Sequence, residues 1–380
     1  MQPSPYTPGE TARQVPGREA QMDEIGGLLL RVAQEGRLAG RIRVDVGPRG
    51  VGKTSLLRRA QRAADDLGLA TVFVTAGNGA LPAVIGDELG ASARGWDRAS
   101  RLADRIERVT LTAGVPGVAQ VEVASHRSAE PQATRAFREL VIEAADAARA
   151  NQHRGIVLLV DEVQAADATD LRTIAYAWQE LQSGEPVPAA LLTAGLSHAP
   201  DVITNAVPSG ERFAFRPLRD LEPHQAREAL TVASSTLGVR WETSAIQAVV
   251  ERAQGYPYFV QLYGDEVWRA AGSPDAGGVL RSVDVDLAQE RVDVDLDALY
   301  RTRWFKATPR ERDILIAMAE ATTPLVPRGD IADRLGVASS ALSMARQSLL
   351  DKGIVDAPDH GLLTFTVPGF ARFVRARATG

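Results

Sequence analysis

The sequence predicts an α/β fold: a parallel-sheet core, an all-helical lid and a C-terminal winged helix-turn-helix. Three observations predict it. Continuous apolar runs at residues 156–160 and 189–194 read as strands covered on both faces, with helical patterns between them. A glycine-rich loop at residues 47–54 joins a strand pattern to a helix pattern. From Leu221 onward the strand runs stop, and helical periodicity takes over until a short hairpin pattern near the C-terminus.

The 380 residues suggest about two to three domains. A hydrophobic content of 45% with 24% charged residues is that of an ordinary folded chain. No apolar run is long enough for a membrane span, and residues 1–14 lack the basic start and apolar core of a secretory signal. Zero cysteines exclude a disulfide frame, a thiolate metal site and a cysteine nucleophile. A cytoplasmic protein without a membrane partner is the expectation. Residues 299–380 hold 12 basic and 8 acidic side chains, so the net −5 divides into +4 there and −9 elsewhere.

In chain order, residues 1–14 are polar and Pro-rich and read as a disordered tail. Met22, Ile25, Leu28, Leu29 and Val32 follow at helical spacing. After the glycine loop and its helix, residues 69–74 read as a second strand and residues 81–107 as helices. Residues 109–123 read as a loop or short hairpin, and residues 131–150 as a helix. Residues 213–215 give a last short strand. The core is therefore placed at 15–220 and the lid at 221–272, with three helices and Gly255 capping the second. Residues 273–298 carry a near-repeat, Val283-Asp284-Val285-Asp286-Leu287 against Val292-Asp293-Val294-Asp295-Leu296, and read as an acidic linker. A calcium loop is rejected there, since Ala298 stands where glycine is needed and Trp304 where glutamate is needed. Residues 299–380 open on the capping box Thr308-Pro309-Arg310-Glu311 and complete the winged-helix pattern.

The chemistry concentrates in Gly47-Pro48-Arg49-Gly50-Val51-Gly52-Lys53-Thr54, followed by Ser55. Glycines let backbone N–H groups approach phosphate, and the helix start adds its positive dipole end. Lys53 is placed to reach the terminal phosphates of ATP or ADP and the Thr54 hydroxyl to hold Mg²⁺. Asp161, 108 positions after Lys53, closes a buried strand and would share that metal. Glu162 is the expected base that polarises water. Thr193, read as ending the next strand, would contact the terminal phosphate or orient that water; His198 is read as incidental.

The order of these parts resembles the AAA+ and STAND superfamily of P-loop ATPases, and within it the origin-recognition and archaeal ATPase types. Residues 47–54 resemble Walker A and residues 156–162 Walker B. Val15-Pro16-Gly17-Arg18-Glu19 is similar to the family's opening motif, which implies Arg18 beside the adenine. Thr193 sits at what looks like the sensor-1 position, and Gly255-Tyr256-Pro257 resembles the Gly-x-Pro lid motif, which implies Pro257 against the base. The resemblance offers Arg212, with Arg216 second, as an arginine finger toward a neighbouring copy, and a homo-oligomer with it. It departs from the pattern at Tyr256-Pro257-Tyr258, where no sensor-2 arginine stands.

Two functions follow as expectations. One is a Mg-ATP hydrolase driving a winged helix that meets double-stranded DNA through Ser340, Ser343, Arg346, Gln347 and Lys352. The other is a low-turnover, nucleotide-gated module whose winged helix docks a protein.

Overall fold

The computed structural model describes residues 1–11, 15–112, 126–208, 210–359 and 361–378. Its centre is a five-stranded, all-parallel sheet. The strands are β1 (Ile42–Val46), β2 (Ala70–Thr75), β3 (Ile156–Asp161), β4 (Ala189–Gly195) and β5 (Phe213–Pro217), in the order β2-β3-β4-β1-β5. The unbroken apolar run of β3 is explained by its two covered faces. Ile156, Leu158 and Val160 enter one core, whereas Val157 and Leu159 enter the other. The two charges inside β1 satisfy each other, with Arg43 donating to both oxygens of Asp45 at 2.8 and 2.9 Å.

The helices α1 (Glu19–Glu35) and α2 (Lys53–Asp66) cover one face. The other is covered by α3 (Leu81–Ser92), α4 (Ala99–Thr112), α5 (His126–Ala150), α6 (Ala168–Ser183) and α7 (Ala199–Ala206). The loop or hairpin expected at 109–123 begins inside α4, and its remainder lies outside the described residues. The span expected to be the lid holds α8 (Pro223–Ser235), α9 (Thr243–Ala253) and α10 (Pro257–Ala270). Two short parallel strands, β6 (Arg240–Trp241) and β7 (Val279–Leu280), fasten its edge. Gln254, at φ 51°, caps α9 instead of Gly255. Gly255 (φ 74°) is required for a different reason: a Cβ there would fall 2.3 Å from the Leu221 carbonyl oxygen.

Two expectations fail here. The acidic linker is instead a 25-residue helix, α11 (Ser282–Lys306), packed against α9 and α10. It crosses the expected boundary at 299 without a break. The Val-Asp alternation suggested an extended connector. A helix instead turns Val285, Ala288, Val292 and Tyr300 to one side, and burying them outweighs local propensity. The disordered tail is also overturned for residues 1–11. Tyr6 is 2% exposed, its hydroxyl donates to the Leu230 carbonyl at 2.6 Å, and it accepts from Trp241 Nε1 at 2.8 Å. A Cβ on Gly264 would stand 2.6 Å from its ring. Composition cannot foresee one tyrosine filling a notch in the lid.

The C-terminal part contains α12 (Pro309–Ala319), β8 (Val326–Pro327), α13 (Arg328–Leu335), α14 (Ser343–Asp351), β9 (Val355–Asp356), β10 (Leu362–Phe365) and α15 (Phe370–Ala378). The expected hairpin gains a third strand, giving an antiparallel order β8-β10-β9, and a final helix. Thr308 and Glu311 form the expected capping box at the start of α12. The lid and the C-terminal part share a single apolar core running from Tyr6 to Val374.

Replacing Tyr6 removes a buried ring and two hydrogen bonds from that core. Tyr6→Ala is therefore expected to lower the unfolding free energy of the lid by about 3 kcal/mol, read from a denaturant titration. An unchanged midpoint would place Tyr6 outside the packed core.

Candidate functional site

The site forms at the carboxyl ends of the parallel strands, where β1 gives way to the glycine loop. Gly50 and Gly52 have φ of 85° and 97°, a region that side-chain-bearing residues avoid. Gly47 is needed for closeness, because a Cβ there would meet the Leu218 carbonyl oxygen at 2.5 Å. Gly52 caps α2, and Lys53 begins it.

Lys53 is 6% exposed, and its Nζ donates to the carbonyls of Gly47 at 2.9 Å and Pro48 at 2.8 Å. Burial pushes its pKa down to about 8, against the pull of Glu162 and Asp161. The Thr54 hydroxyl donates to Asp161 Oδ2 at 2.6 Å, and Asp161 Oδ1 accepts from the Glu162 amide at 2.9 Å. Glu162 has φ 53°, a left-handed conformation, so its carboxylate turns off the end of β3 toward the loop. Gln164 Nε2 donates to that carboxylate, and Gln164 Oε1 accepts from Leu196 N at 2.9 Å. Gln164 therefore ties Glu162 to the end of β4.

A cavity of about 410 Å³ adjoins the loop. Residues Arg49 to Ser55, Arg18, Glu162 and Pro257 line it, whereas Gly47, Pro48 and Asp161 are not among its lining residues. Its volume and the converging hard oxygens of Thr54 and Asp161 suit a nucleotide with a small divalent cation. Arg18 is less a base contact than a strut: it donates to Val51 O at 3.0 Å and to Arg219 O at 2.6 Å. Burial lowers its pKa, opposed by neighbouring acids, Asp220 first. Asp220 is itself pushed up to about 6, chiefly by burial.

Several contributors were missed in the sequence. Thr7, Gly9, Glu10 and Thr11 line the cavity together with Pro257 and Tyr258, and Thr7 N donates to Gln261 Oε1 at 3.2 Å. Tyr256 donates its hydroxyl to Arg49 O at 3.0 Å, and a Cβ on Gly50 would fall 2.0 Å from that hydroxyl. The Arg49 side chain lies across Gly353, where a Cβ would come within 2.2 Å of its Cδ. Arg303 reaches the Gly353 carbonyl at 2.7 Å. Tyr256 had a signal, as the middle of Gly-x-Pro; Gly353, a helix-ending glycine, had none.

Other expectations are corrected. Thr193 does not end β4; it lies two residues inside it, and its hydroxyl donates to Arg43 O at 2.9 Å, away from the cavity. The finger expected of Arg212 concerns a neighbouring copy and is not contradicted: Arg212 precedes β5, whose Phe213 aligns with Ile42, so it stands at the amino edge of the sheet, remote from this chain's own cavity. Its guanidinium lies 5.0 Å from the Tyr176 ring. Arg216 pairs with Glu24 at 2.7 Å. His198 is not incidental: it is 7% exposed and meets Asp351 at 3.2 Å, joining the core to the C-terminal part.

The DNA candidates are mostly engaged within the chain. Lys352 Nζ donates to both oxygens of buried Glu311 at 2.8 and 2.6 Å. Gln347 donates to Asp351 at 2.9 Å, and Ser343 accepts from Arg328 at 2.8 Å. Arg346 is half-buried, close enough to Asp201 of α7 to feel its charge. Ser340 is exposed.

Residues 14–192 match the family described as AAA ATPase domain. Residues 297–374 match a family described as a domain of unknown function, DUF8462. The first span holds β1, the glycine loop and the acidic pair of β3, and ends within β4, so the similarity covers the site and leaves out the lid. No curated protein matches the chain. Among solved structures, the Walker-type ATPase of Pyrococcus abyssi is 15% identical, with 99% of each chain covered and a TM-score of 0.55. Cdc6p from Pyrobaculum aerophilum is 16% identical, over 99% of this chain and 96% of that one, with a TM-score of 0.47. The RuvB Holliday junction branch migration motor of Thermotoga maritima is 16% identical over 92% of each chain, at 0.47. The first of these likenesses supports a shared fold, an α/β core built on a parallel five-stranded sheet.

Proposed function

We propose that the chain is a Mg-ATP-binding and hydrolysing ATPase of the AAA+/STAND type, acting as a nucleotide-driven switch. The observation that carries this reading is the Thr54–Asp161 hydrogen bond of 2.6 Å beside a loop gripped from two other parts of the chain. Thr54 and Asp161 would hold Mg²⁺, which supplies charge neutralisation for phosphate oxygens. The loop amides and α2 receive the phosphates, and Lys53 adds a cation already stripped of water. Glu162 takes a proton from water, oriented by Gln164. Pro257, Tyr258 and residues 7–11 enclose the base.

The switch reading rests on Arg49. Its carbonyl receives Tyr256 from the lid, and its side chain lies on Gly353, just past α14 of the winged-helix arrangement. Filling the loop with phosphate changes what Arg49 and Gly50 can touch, and so biases lid and winged helix together. The engaged state of Lys352 and Gln347 and the His198–Asp351 contact favour a winged helix that docks on protein, here its own core, over one free to read DNA.

Lys53→Ala is expected to weaken ATP binding by about 100-fold or more, by calorimetry. Glu162→Gln should keep that affinity and lose turnover by about 10²–10³-fold. Hydrolysis unchanged in both would overturn the assignment. Wild-type protein with sound binding and negligible turnover would instead support the gated module.

The lowered pKa of Lys53 gives a pH signature. Above about 8 the free protein loses the ammonium, so affinity for a slowly hydrolysed ATP analogue should fall by up to about tenfold per pH unit. The same shift acts oppositely on stability. Between about 8 and the ordinary value of 10.5 the unfolded chain binds the extra proton, so Lys53 makes folding more favourable as pH rises. A titration in which affinity stays flat would remove Lys53 from the phosphate site.

For the winged helix, the expectation is weak duplex-DNA binding by the nucleotide-free chain, unchanged by Arg346→Ala with Lys352→Ala. Tight binding that falls steeply with salt and is lost in that variant would restore DNA as the partner.

A further inference from the structure

Three polar contacts lie in series between the expected base and the C-terminal part. The first is at Glu162, whose carboxylate accepts from Gln164 Nε2. The second is at the end of β4, where Gln164 Oε1 accepts from Leu196 N at 2.9 Å. Leu196 opens a turn that the Ala199 amide closes on the Leu196 carbonyl at 2.8 Å, and His198 is carried on that turn. The third is at His198, whose Nε2 stands 3.2 Å from Asp351 Oδ1 at the end of α14. Gln347, one turn earlier in α14, donates to the same oxygen and fixes it.

The series has little slack. A Cβ on Gly195 would fall 2.7 Å from Ala199 Cβ, 2.9 Å from Gln164 Oε1 and 3.0 Å from Val163 Cγ1, so glycine lets the turn close on Gln164. His198 is buried, and Asp351, Asp356 and Arg346 of the C-terminal part all act on its ring. Burial pushes its pKa down, opposed first by Asp351. Gln164, His198 and Asp351 are not among the residues lining the nucleotide cavity.

We propose that Asp351 and His198 are positioning residues for Glu162, acting through the 196–199 turn and Gln164, so that hydrolysis needs the C-terminal part docked on the core. This deepens the ATPase reading and rests on it. An amide donating to one carboxylate oxygen fixes the direction of that carboxylate and leaves the other oxygen to take the proton from water. The terminal torsion of a glutamine is broad, so Gln164 holds that direction only while the Leu196 amide holds its own oxygen. Asp351 anchors the far end of the turn. Releasing that end lets the turn drift, and Glu162 with it. A misplacement of about 1 Å at such a group costs up to about 100-fold in rate, while the loop that receives phosphate is untouched.

The test is steady-state ATP turnover and analogue affinity of the full chain. Gln164→Ala should lower kcat about tenfold and Asp351→Ala about threefold to tenfold, each with KM and analogue affinity within about twofold. Asp351→Asn, which keeps an oxygen facing His198, should retain most of the turnover. In the Gln164→Ala background, adding Asp351→Ala should lower kcat no further, because the series is already cut. Asp351 is 57% exposed, so its variants should keep the wild-type thermal midpoint. Losses that multiply in the double variant would overturn the proposal. So would turnover unchanged in either single variant, a raised KM at constant kcat, or Asp351→Asn as slow as Asp351→Ala. A wild-type chain that binds the analogue and hydrolyses nothing would fail the ATPase reading and take this proposal with it. Turnover lost in Glu162→Gln but indifferent to Asp351 would overturn the proposal alone.

Discussion

The contact on which the rest depends is the phenol of Tyr256 resting on the glycine loop. Its hydroxyl donates to the Arg49 carbonyl, and only a glycine at position 50 leaves room for it. The glycine loop, proposed to receive phosphate, is thus also a bearing surface for Tyr256. Its conformation is fixed from outside by Tyr256 and Gly353 and from inside by Lys53, which donates to the loop's own carbonyls. A segment with φ near 85° and 97° has little intrinsic preference for one shape, so these contacts decide it.

That arrangement has an electrostatic consequence. Lys53 is buried with two neutral carbonyls for partners, and its charge is costly there. Asp161 and Glu162 moderate the cost, and Asp356 of the C-terminal part adds a smaller contribution. The C-terminal part therefore contributes to the field in which the ammonium sits. Asp356 also raises Asp220, at the hinge between core and lid. Moving that part away would change the charge balance at the loop and at the hinge together.

Much of this was legible in the sequence, because the relevant signals are local. The glycine loop, the aliphatic run before Asp161 and the capping box at Thr308 each state their structure within eight residues or so. What was not legible is tertiary. Tyr6 lies in a stretch whose composition suggests disorder, yet three lid elements hold it. The Val-Asp alternation in α11 mimics a strand period, and only packing against α9 and α10 shows that the helix wins. Thr193 was carried over by analogy of position. It sits two residues short of the end of β4, and its hydroxyl is taken up by the Arg43 carbonyl of the neighbouring strand. Lys352 looked like a cation for phosphate because its partner Glu311, 41 positions away, is invisible to local reading.

The lid and the C-terminal part share one apolar core and one unbroken helix, α11, so they have no ready means of moving independently. By contrast, the contacts from this unit to the sheet core include single polar links: Tyr256 to Arg49, Gln225 to the Gly17 carbonyl, and His198 to Asp351, with Arg49 packed on Gly353. Polar contacts of this kind contribute about 1 kcal/mol each, whereas separating a shared core costs far more. Strain introduced at the loop would therefore part the chain along the polar seam before it loosened the apolar one. In the proposed switch, the moving body is then lid plus C-terminal part, with Leu221, whose amide is tied to the Gly255 carbonyl at 2.8 Å, at its border with the core. α11 belongs to that body along its whole length, since it packs on the lid and runs unbroken into the C-terminal part.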